Sequence, residues 1–207
     1  KMFVAGLSNG TNNRGLVVGG MKGTTKYNTI QYVTISSTGN ATDFGDLTET
    51  VYAPGATSNG TGNRGVRGGG DSGSRTNVID YVTISSTGNA TDFGDLTNAR
   101  NALSATSNGT SNRGIFAGGN DGSRVNIIDY ITISSTGNAT DFGDLSAAKN
   151  YVSACSNRTA GRGLIGGGST GSSSNVIDYV TIGSTGNATD FGDLTVSREA
   201  LAGCSNA

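Results

Sequence analysis

The tetrapeptide Phe-Gly-Asp-Leu begins at Phe44, Phe93, Phe142 and Phe191, at a spacing of 49 residues each time. It closes an eleven-residue run, Ser-Thr-Gly-Asn-Ala-Thr-Asp-Phe-Gly-Asp-Leu, that is identical in all four copies. A strict period of this length describes an array of like units, each burying its apolar faces against its neighbours, rather than one or two independent cores. Upstream, every unit carries Ile-Gln-Tyr or Ile-Asp-Tyr, from Ile30, Ile79, Ile128 and Ile177, and before that an Arg-Gly step at Arg14, Arg64, Arg113 and Arg162 that leads into a Gly-Gly pair. The units fall at residues 1–49, 50–98, 99–147 and 148–197, with 198–207 as the first strand of a further unit or a closing strand.

Each unit reads as four short strands. In the third unit they are Ala102 to Ser107, Arg113 to Gly119, Asn126 to Ile133 and Ala139 to Leu145, separated by turn residues such as Ser-Thr-Gly-Asn. In the third strand of the second unit Val78, Val82 and Ile84 point one way and Ile79 and Tyr81 the other, so the strand is apolar on both faces and lies between two sheets. Gly, Ser, Thr and Asn make up just over half of the 207 residues, and Leu, Ile, Val and Phe just under a fifth, which suits a core divided among thin layers. The expected fold is therefore all-β, a β-propeller of four-stranded antiparallel blades with a 49-residue repeat. A linear β-solenoid fits less well, because its coils are shorter and its strands parallel.

These residues resemble the kelch-type repeat: Gly-Gly closing the second strand (Gly19-Gly20, Gly69-Gly70, Gly118-Gly119, Gly167-Gly168), Tyr in the third (Tyr32, Tyr81, Tyr130, Tyr179), an aromatic in the fourth, then a basic residue at Arg100, Lys149 and Arg198. The pattern departs from kelch in having Phe where Trp is usual, Asp before rather than after the Tyr, and Val51 at the first basic position. The longer wording of the unit, from Ile-Asp-Tyr-Val-Thr-Ile to Phe-Gly-Asp-Leu-Thr and on through Ala-Leu-Ala to Cys-Ser-Asn, is similar to kelch-like tandem repeats in predicted structural proteins of marine tailed phages, cyanophages among them. That resemblance implies a virion-associated structural or host-recognition role and a virion or extracellular location, with other virion proteins, copies of the chain itself, or a host-surface glycan or protein as partners.

The chemistry-bearing motifs weigh against an enzyme. There is no His, which removes imidazole as base, nucleophile or metal ligand. Asp43-Phe44-Gly45 spells a kinase tripeptide without any of the motifs that must accompany it, and the glycines from Gly68 to Gly73 precede no helix that could cradle a phosphate. Asp71-Ser72-Gly73-Ser74 and Asn120-Asp121-Gly122-Ser123 are oxygen-rich but lack the distal carboxylates of a calcium loop. Neither a cofactor nor a metal is expected. A net charge of −1 with 14 scattered Lys and Arg argues against nucleic acid, and no targeting or membrane-inserting segment is evident. Cys155 and Cys204 occupy equivalent places in successive units and are expected to stay unpaired. Asp80, Asp129 and Asp178, flanked by apolar residues, need partners, and Arg64, Arg113 and Arg162 are the expected ones, with Gln31 a neutral substitute in the first unit.

The four copies can be compared with one another within one chain. They differ in the loop after Gly-Gly, which holds Lys22 and Tyr27, Asp71 and Arg75, Asn120, Asp121 and Arg124, and Ser173. They differ again in the loop after Phe-Gly-Asp-Leu, which holds Glu49 and Tyr52, Asn98 and Arg100, Lys149, and Arg198. In an up-and-down blade both loops lie on one face, so these residues form the candidate binding face, drift in exposed loops being the alternative explanation. The eight Asn-x-Ser/Thr triplets at Asn9, Asn40, Asn59, Asn89, Asn108, Asn138, Asn157 and Asn187 fall on the uniform face, where they would accept glycans in a eukaryotic secretory route. Residues 198–206 repeat the part of the unit that residues 1–9 occupy, which predicts a segment of a longer array or a strand that completes a neighbouring copy.

Overall fold

The computed structural model describes residues 2–8, 10–60, 63–109, 112–157 and 161–204. Among these there is no helix, and 17 strands form four separate antiparallel sheets. The first sheet contains β1 (Ala5–Ser8), β2 (Arg14–Val18), β3 (Met21–Lys22), β4 (Thr25–Thr34) and β5 (Thr42–Val51). The second is β6 (Gly55–Ser58), β7 (Arg64–Gly68), β8 (Val78–Thr83) and β9 (Thr91–Asp95), in that order across the sheet. The third is β10 (Ser104–Asn108) through β11 (Arg113–Ala117) and β12 (Ile127–Thr132) to β13 (Thr140–Asp144), and the fourth is β14 (Ser153–Ser156), β15 (Arg162–Gly166), β16 (Val176–Thr181) and β17 (Thr189–Asp193). Each sheet is one up-and-down blade of propeller type.

The first blade alone departs from the common pattern. Its loop after Gly-Gly has one residue more than the others, and Gly23, at φ +60°, turns Met21–Lys22 back onto Thr25–Lys26 as a small hairpin, so the expected loop is partly strand. Its last strand also runs on to Val51, past the expected boundary at residue 49.

Three apolar clusters hold the array together, and each belongs to a junction between blades. Leu7, Leu16, Ile30, Phe44 and Leu47 of blade 1 pack on Val82 and Ile84 of blade 2. Val66, Ile79, Phe93 and Leu96 meet Phe116, Ile131 and Ile133 of blade 3, and Ile115, Ile128, Phe142 and Leu145 meet Ile165, Val180 and Ile182 of blade 4. The two-faced strand seen in the sequence thus looks to the preceding blade with one side and to the following blade with the other.

The inner strands β1, β6, β10 and β14 stand side by side. At one end the hydroxyls of Ser58, Ser107 and Ser156 each donate to the carbonyl of the preceding blade's serine, Ser8, Ser58 and Ser107. At the other end the N–H groups of Ala53, Ala102, Tyr151 and Ala200 donate in turn to the carbonyls of Phe3, Ala53, Ala102 and Tyr151, at 2.8–3.0 Å. The four strands of this row line one open cavity of about 470 Å³ together with Gly203 and Cys204, so the row is concave, and the rings of Phe3 and Tyr151, three repeats apart, come within 6.2 Å. Residues 198–204 continue the row beside β14 without forming a strand, Gly203 lying against Ser153 and Ala154.

The identical run of the sequence has a specific place. Gly88 and Ala90 of blade 2 donate their N–H groups to the carbonyls of Phe44 and Asp46 in blade 1, both at 2.8 Å, and Asp46 N–H donates to Asn89 Oδ1 at 3.0 Å. The same three bonds recur from Gly137, Ala139 and Asn138 to Phe93 and Asp95, and from Gly186, Ala188 and Asn187 to Phe142 and Asp144. The glycine of Phe-Gly-Asp permits this approach: a Cβ on Gly94 would lie 2.5 Å from the Gly137 carbonyl oxygen, one on Gly143 2.6 Å from Gly186, and one on Gly45 would collide with Gly88. All three sit at φ near +140°, which a side chain disfavours in any case. Gly192, with the same backbone angle, faces nothing within 4 Å. Backbone strain is common to both variants, so Gly94→Ala should lower stability by about 2–3 kcal/mol more than Gly192→Ala through the forced opening of the seam alone. Thermal unfolding of the two variants side by side measures the difference.

Candidate functional site

The buried aspartates are paired, but not with the residues expected from the sequence. Asp129 Oδ2 lies 3.0 Å from Arg100 Nη1 and Asp178 Oδ2 2.8 Å from Lys149 Nζ, with both pairs fully buried. The cation lies in the connection between two blades, past the expected boundary at residue 98 or 147, and its backbone is still bonded to the first blade through Gly70 and Thr76 or Gly119 and Val125. The carboxylate comes from the third strand of the second blade. The hydroxyl that follows Phe-Gly-Asp-Leu completes each pair: Thr48 donates to Asp80 at 2.5 Å, Thr97 to Asp129 at 2.6 Å, and Ser146 to Asp178 at 2.6 Å. This explains why only Thr or Ser occurs there. Burial draws the Arg100 guanidinium below its ordinary pKa, and the Asp129 charge opposes that shift.

Arg64, Arg113 and Arg162, the expected partners, instead lie over the rings of Tyr81, Tyr130 and Tyr179 at 4.2–4.7 Å from the centroids. Arg64 and Arg113 also donate to the carbonyls of Ile133 and Ile182 in the next blade, as Arg14 does to Ile84. Their reach outward over the Tyr takes them away from the buried carboxylates. Each Tyr in turn meets the Phe of Phe-Gly-Asp edge-on, with centroids 6.0–6.1 Å apart.

The first junction solves the same problem differently. Val51 stands where Arg100 and Lys149 stand later, and Asp80 pairs with Arg67 from β7 of its own blade. Arg67 is fully buried and also meets Glu49 at 3.2 Å. Its counterparts in the next two blades are Phe116 and Ile165. Sequence comparison among the units exposes both odd residues, Val51 and Arg67, but only the geometry shows that one compensates for the other.

Arg100 and Lys149 therefore leave the candidate binding face: both are fully buried as counterions under the following blade. The remaining candidates belong to loops at the same ends of the antiparallel strands. Lys22, Arg75, Asp121, Arg124, Ser173 and Arg198 are exposed, and Tyr27, Glu49, Tyr52, Asp71, Asn98 and Asn120 are half-buried. Several are tied across blades: Lys26 to Asp71 at 2.7 Å, Arg75 to Asn120 Oδ1 at 2.6 Å, and Asn98 to Asp121 at 2.9 Å. In the oxygen-rich loops Asp71, Asn120 and Asp121 accept the N–H groups of Gly73, Gly122 and Ser123. For Asp71, burial raises the carboxyl pKa, but the hydrogen bonds from Lys26 and Gly73 and the charges of Lys26 and Arg75 outweigh it, and the net shift is down. The Asp121 carboxyl is also lowered, first by the Ser123 N–H bond. Among the described residues no group of three or more His, Cys, Asp or Glu is placed to hold a metal ion.

One end of the row of inner strands carries a feature the sequence did not reveal. Phe3, Ala53, Ala102, Tyr151 and Ala200 all adopt φ of 53–55°, the left-handed region that non-glycine residues seldom occupy. They are the residues of the N–H to carbonyl chain between blades, and the side chains of Phe3, Tyr52 and Tyr151 gather there, with centroids 6.0 and 6.2 Å from Phe3. In the cavity lined by the inner strands, Cys155 and Cys204 are free thiols, and burial, then the neighbouring Cys204, raises the Cys155 thiol.

Of the eight Asn-x-Ser/Thr triplets, Asn9 lies outside the described residues. Asn108, the last residue of β10, is buried, against expectation, so it offers no acceptor. Asn40, Asn89, Asn138, Asn157 and Asn187 are exposed and Asn59 is half-buried. Asn89, Asn138 and Asn187 use Oδ1 in the seams, so at these positions a side chain read as a glycan acceptor holds blades together. Comparison with protein-family models and with curated proteins gave no match.

Removing one member of a buried pair should be costly. Arg100→Met leaves Asp129 buried and unpaired and should destabilise by about 3–5 kcal/mol, whereas Arg100→Met with Asp129→Leu should recover most of that loss. Arg67→Val should destabilise likewise, and adding Val51→Arg should restore stability by rebuilding the later junctions' arrangement. Chemical denaturation of the single and double variants reads both outcomes.

Proposed function

We propose that this chain is a non-enzymatic repeat scaffold, a virion component of tail or fibre type for structure or host recognition, which presents the variable loops of one face to a host-surface glycan or protein. The observation that carries the reading is how the two faces are used. On the uniform face the loops are consumed by the seams between blades, through Gly88, Asn89 and Ala90 and their repeats. On the other face the copies differ: Lys22, Arg75, Asp121, Arg124 and Ser173 are exposed, and the rings of Phe3, Tyr52 and Tyr151 cluster at the same end of the inner strands. Rigid blades with dissimilar loops and clustered aromatic rings suit recognition of a carbohydrate or protein surface, since rings supply contact area at low entropic cost.

A second reading, an extracellular surface or filament protein assembled from the same blades, is favoured by the exposure of Asn40, Asn89, Asn138, Asn157 and Asn187 in glycan-acceptor triplets. Mass spectrometry of the protein from its native source separates the two: unmodified asparagines accord with the virion reading and occupied ones with the surface reading. For the binding face, the Arg75→Glu, Arg124→Glu double variant should lose attachment to host cells at least tenfold while keeping its melting temperature. Unchanged attachment would remove this face from recognition.

A further inference from the structure

Where the variable loops of neighbouring blades meet, one backbone arrangement recurs and its side chains change step by step. Asp71 with Arg75, Asn120 with Arg124 and Ser169 with Ser173 form the same antiparallel bridge, and Tyr52, Asn101 and Asn150 bridge to the first member of each pair. In the hairpin of blade 1 Lys26 stands opposite Met21 as Arg75 stands opposite Asp71. At the first junction Lys26 reaches Asp71 of blade 2 at 2.7 Å and lies over the Tyr52 ring. At the second, Arg75 donates to the Asn120 amide oxygen at 2.6 Å, and its charge helps to lower the Asp121 carboxyl. At the third, Arg124 has Ser169 and Thr170 in the places of Asn120 and Asp121.

From the first junction to the third the carboxylate gives way to an amide and then to a hydroxyl, while the cation is kept. Arg124 is exposed, and among the described residues no hydrogen bond, ion pair or ring contact engages its side chain. No Asp or Glu occurs between Asp144 and Asp178, the stretch that supplies the loop across from it. That loop is rich in hydroxyls instead, with Thr170, Ser172 and Ser173 exposed beside the buried Ser169. Asn150, bridged to Ser169, is also buried, and its amide oxygen has no hydrogen-bond partner, so a second polar group at this junction lacks a bond. None of the exposed large apolar side chains belongs to either loop.

We propose that the loops of the third junction, residues 120–125 and 169–174, bind the carboxylate of an acidic sugar, with the Arg124 guanidinium as its counterion and the hydroxyls of the second loop bonding those of the sugar. The proposal rests on reading the variable loops as a recognition surface, and it names the chemistry they recognise. A guanidinium fork matches a carboxylate through two parallel N–H···O bonds. One free cation among hydroxyls suits a singly charged, hydroxyl-rich unit. A strongly charged polymer calls for a cluster of basic residues, and a protein partner for an apolar centre, and these loops have neither.

Isothermal titration calorimetry with oligosaccharides of glucuronic, galacturonic and mannuronic acid, and with their carboxyl-reduced counterparts, tests the site. At least one uronate should bind at one site per chain, and its carboxyl-reduced form should bind about tenfold more weakly or worse. Arg124→Gln should lose that binding and Arg75→Gln should keep it. Ser169→Asp gives Arg124 the internal partner that Lys26 has in Asp71, and should lose binding although the cation remains. Asn120→Ser with Asp121→Thr copies the third junction into the second and should raise the sites per chain from one to two. Each of these last substitutions introduces a residue that already stands at the equivalent place in another blade, so the variants fold, which circular dichroism checks. No binding of any uronate, equal binding of the neutral forms, unchanged binding in Arg124→Gln, or tighter binding of dextran sulfate or polyglutamate would overturn the assignment. Attachment to host cells distinguishes its failure from that of the wider reading. Loss in the Arg75→Glu, Arg124→Glu variant but not in Arg124→Gln would overturn this site alone, and attachment unchanged in both would overturn the recognition face with it.

Discussion

Everything in this molecule depends on one contact, the backbone seam in which Gly-Asn-Ala of each blade lies along Phe-Gly-Asp of the blade before it. Apolar stacking alone would let thin sheets slide, because dispersion and burial are not directional. Two backbone bonds and one asparagine bond per junction fix the register, and the glycine at φ near +140° makes room for them. Because the run that donates and the run that accepts belong to one identical segment, any blade can follow any other. That property lets an array grow by duplication.

The buried charges refine this general adhesive. A cation passed from one blade to the carboxylate of the next requires that both be present, since a lone buried charge is far more costly than none. Arg100 with Asp129 and Lys149 with Asp178 satisfy the rule across the junction, and Arg67 with Asp80 satisfies it within a blade. The substitution of Val51 for a basic residue is therefore tolerated only alongside Arg67. Such a pair adds less to stability than to order: a blade with Asp in its third strand fits after a basic neighbour, or with its own Arg, and poorly otherwise.

The blade, its four strands and its two-sided third strand were legible because periodicity at 49 and at 2 residues reflects backbone geometry directly. The side-chain partners were less so. Arg64, Arg113 and Arg162 recur with the aspartates, and recurrence alone cannot distinguish an ion pair from an Arg stacked on Tyr. Arg100 and Lys149 looked like loop residues because they follow the last strand, and only the packing of the next blade buries them. The left-handed residues Phe3, Ala53, Ala102 and Tyr151 left no trace, since their conformation is imposed by hydrogen bonds between blades rather than by their own preference. What the sequence did carry is the split between a face that repeats and a face that varies. The seam explains it: residues that bind the neighbouring blade must be alike in every copy, and residues on the other face are free to differ.

Native-state hydrogen exchange tests the seam most directly. The Gly88, Gly137 and Gly186 amides should exchange slowly, at rates set by blade separation. The Gly39 amide, in an identical local sequence and without this seam bond among the described residues, should exchange at the rate of an exposed loop. Equal exchange at all four glycines would contradict the account, because the seam would then be no more than a turn repeated four times.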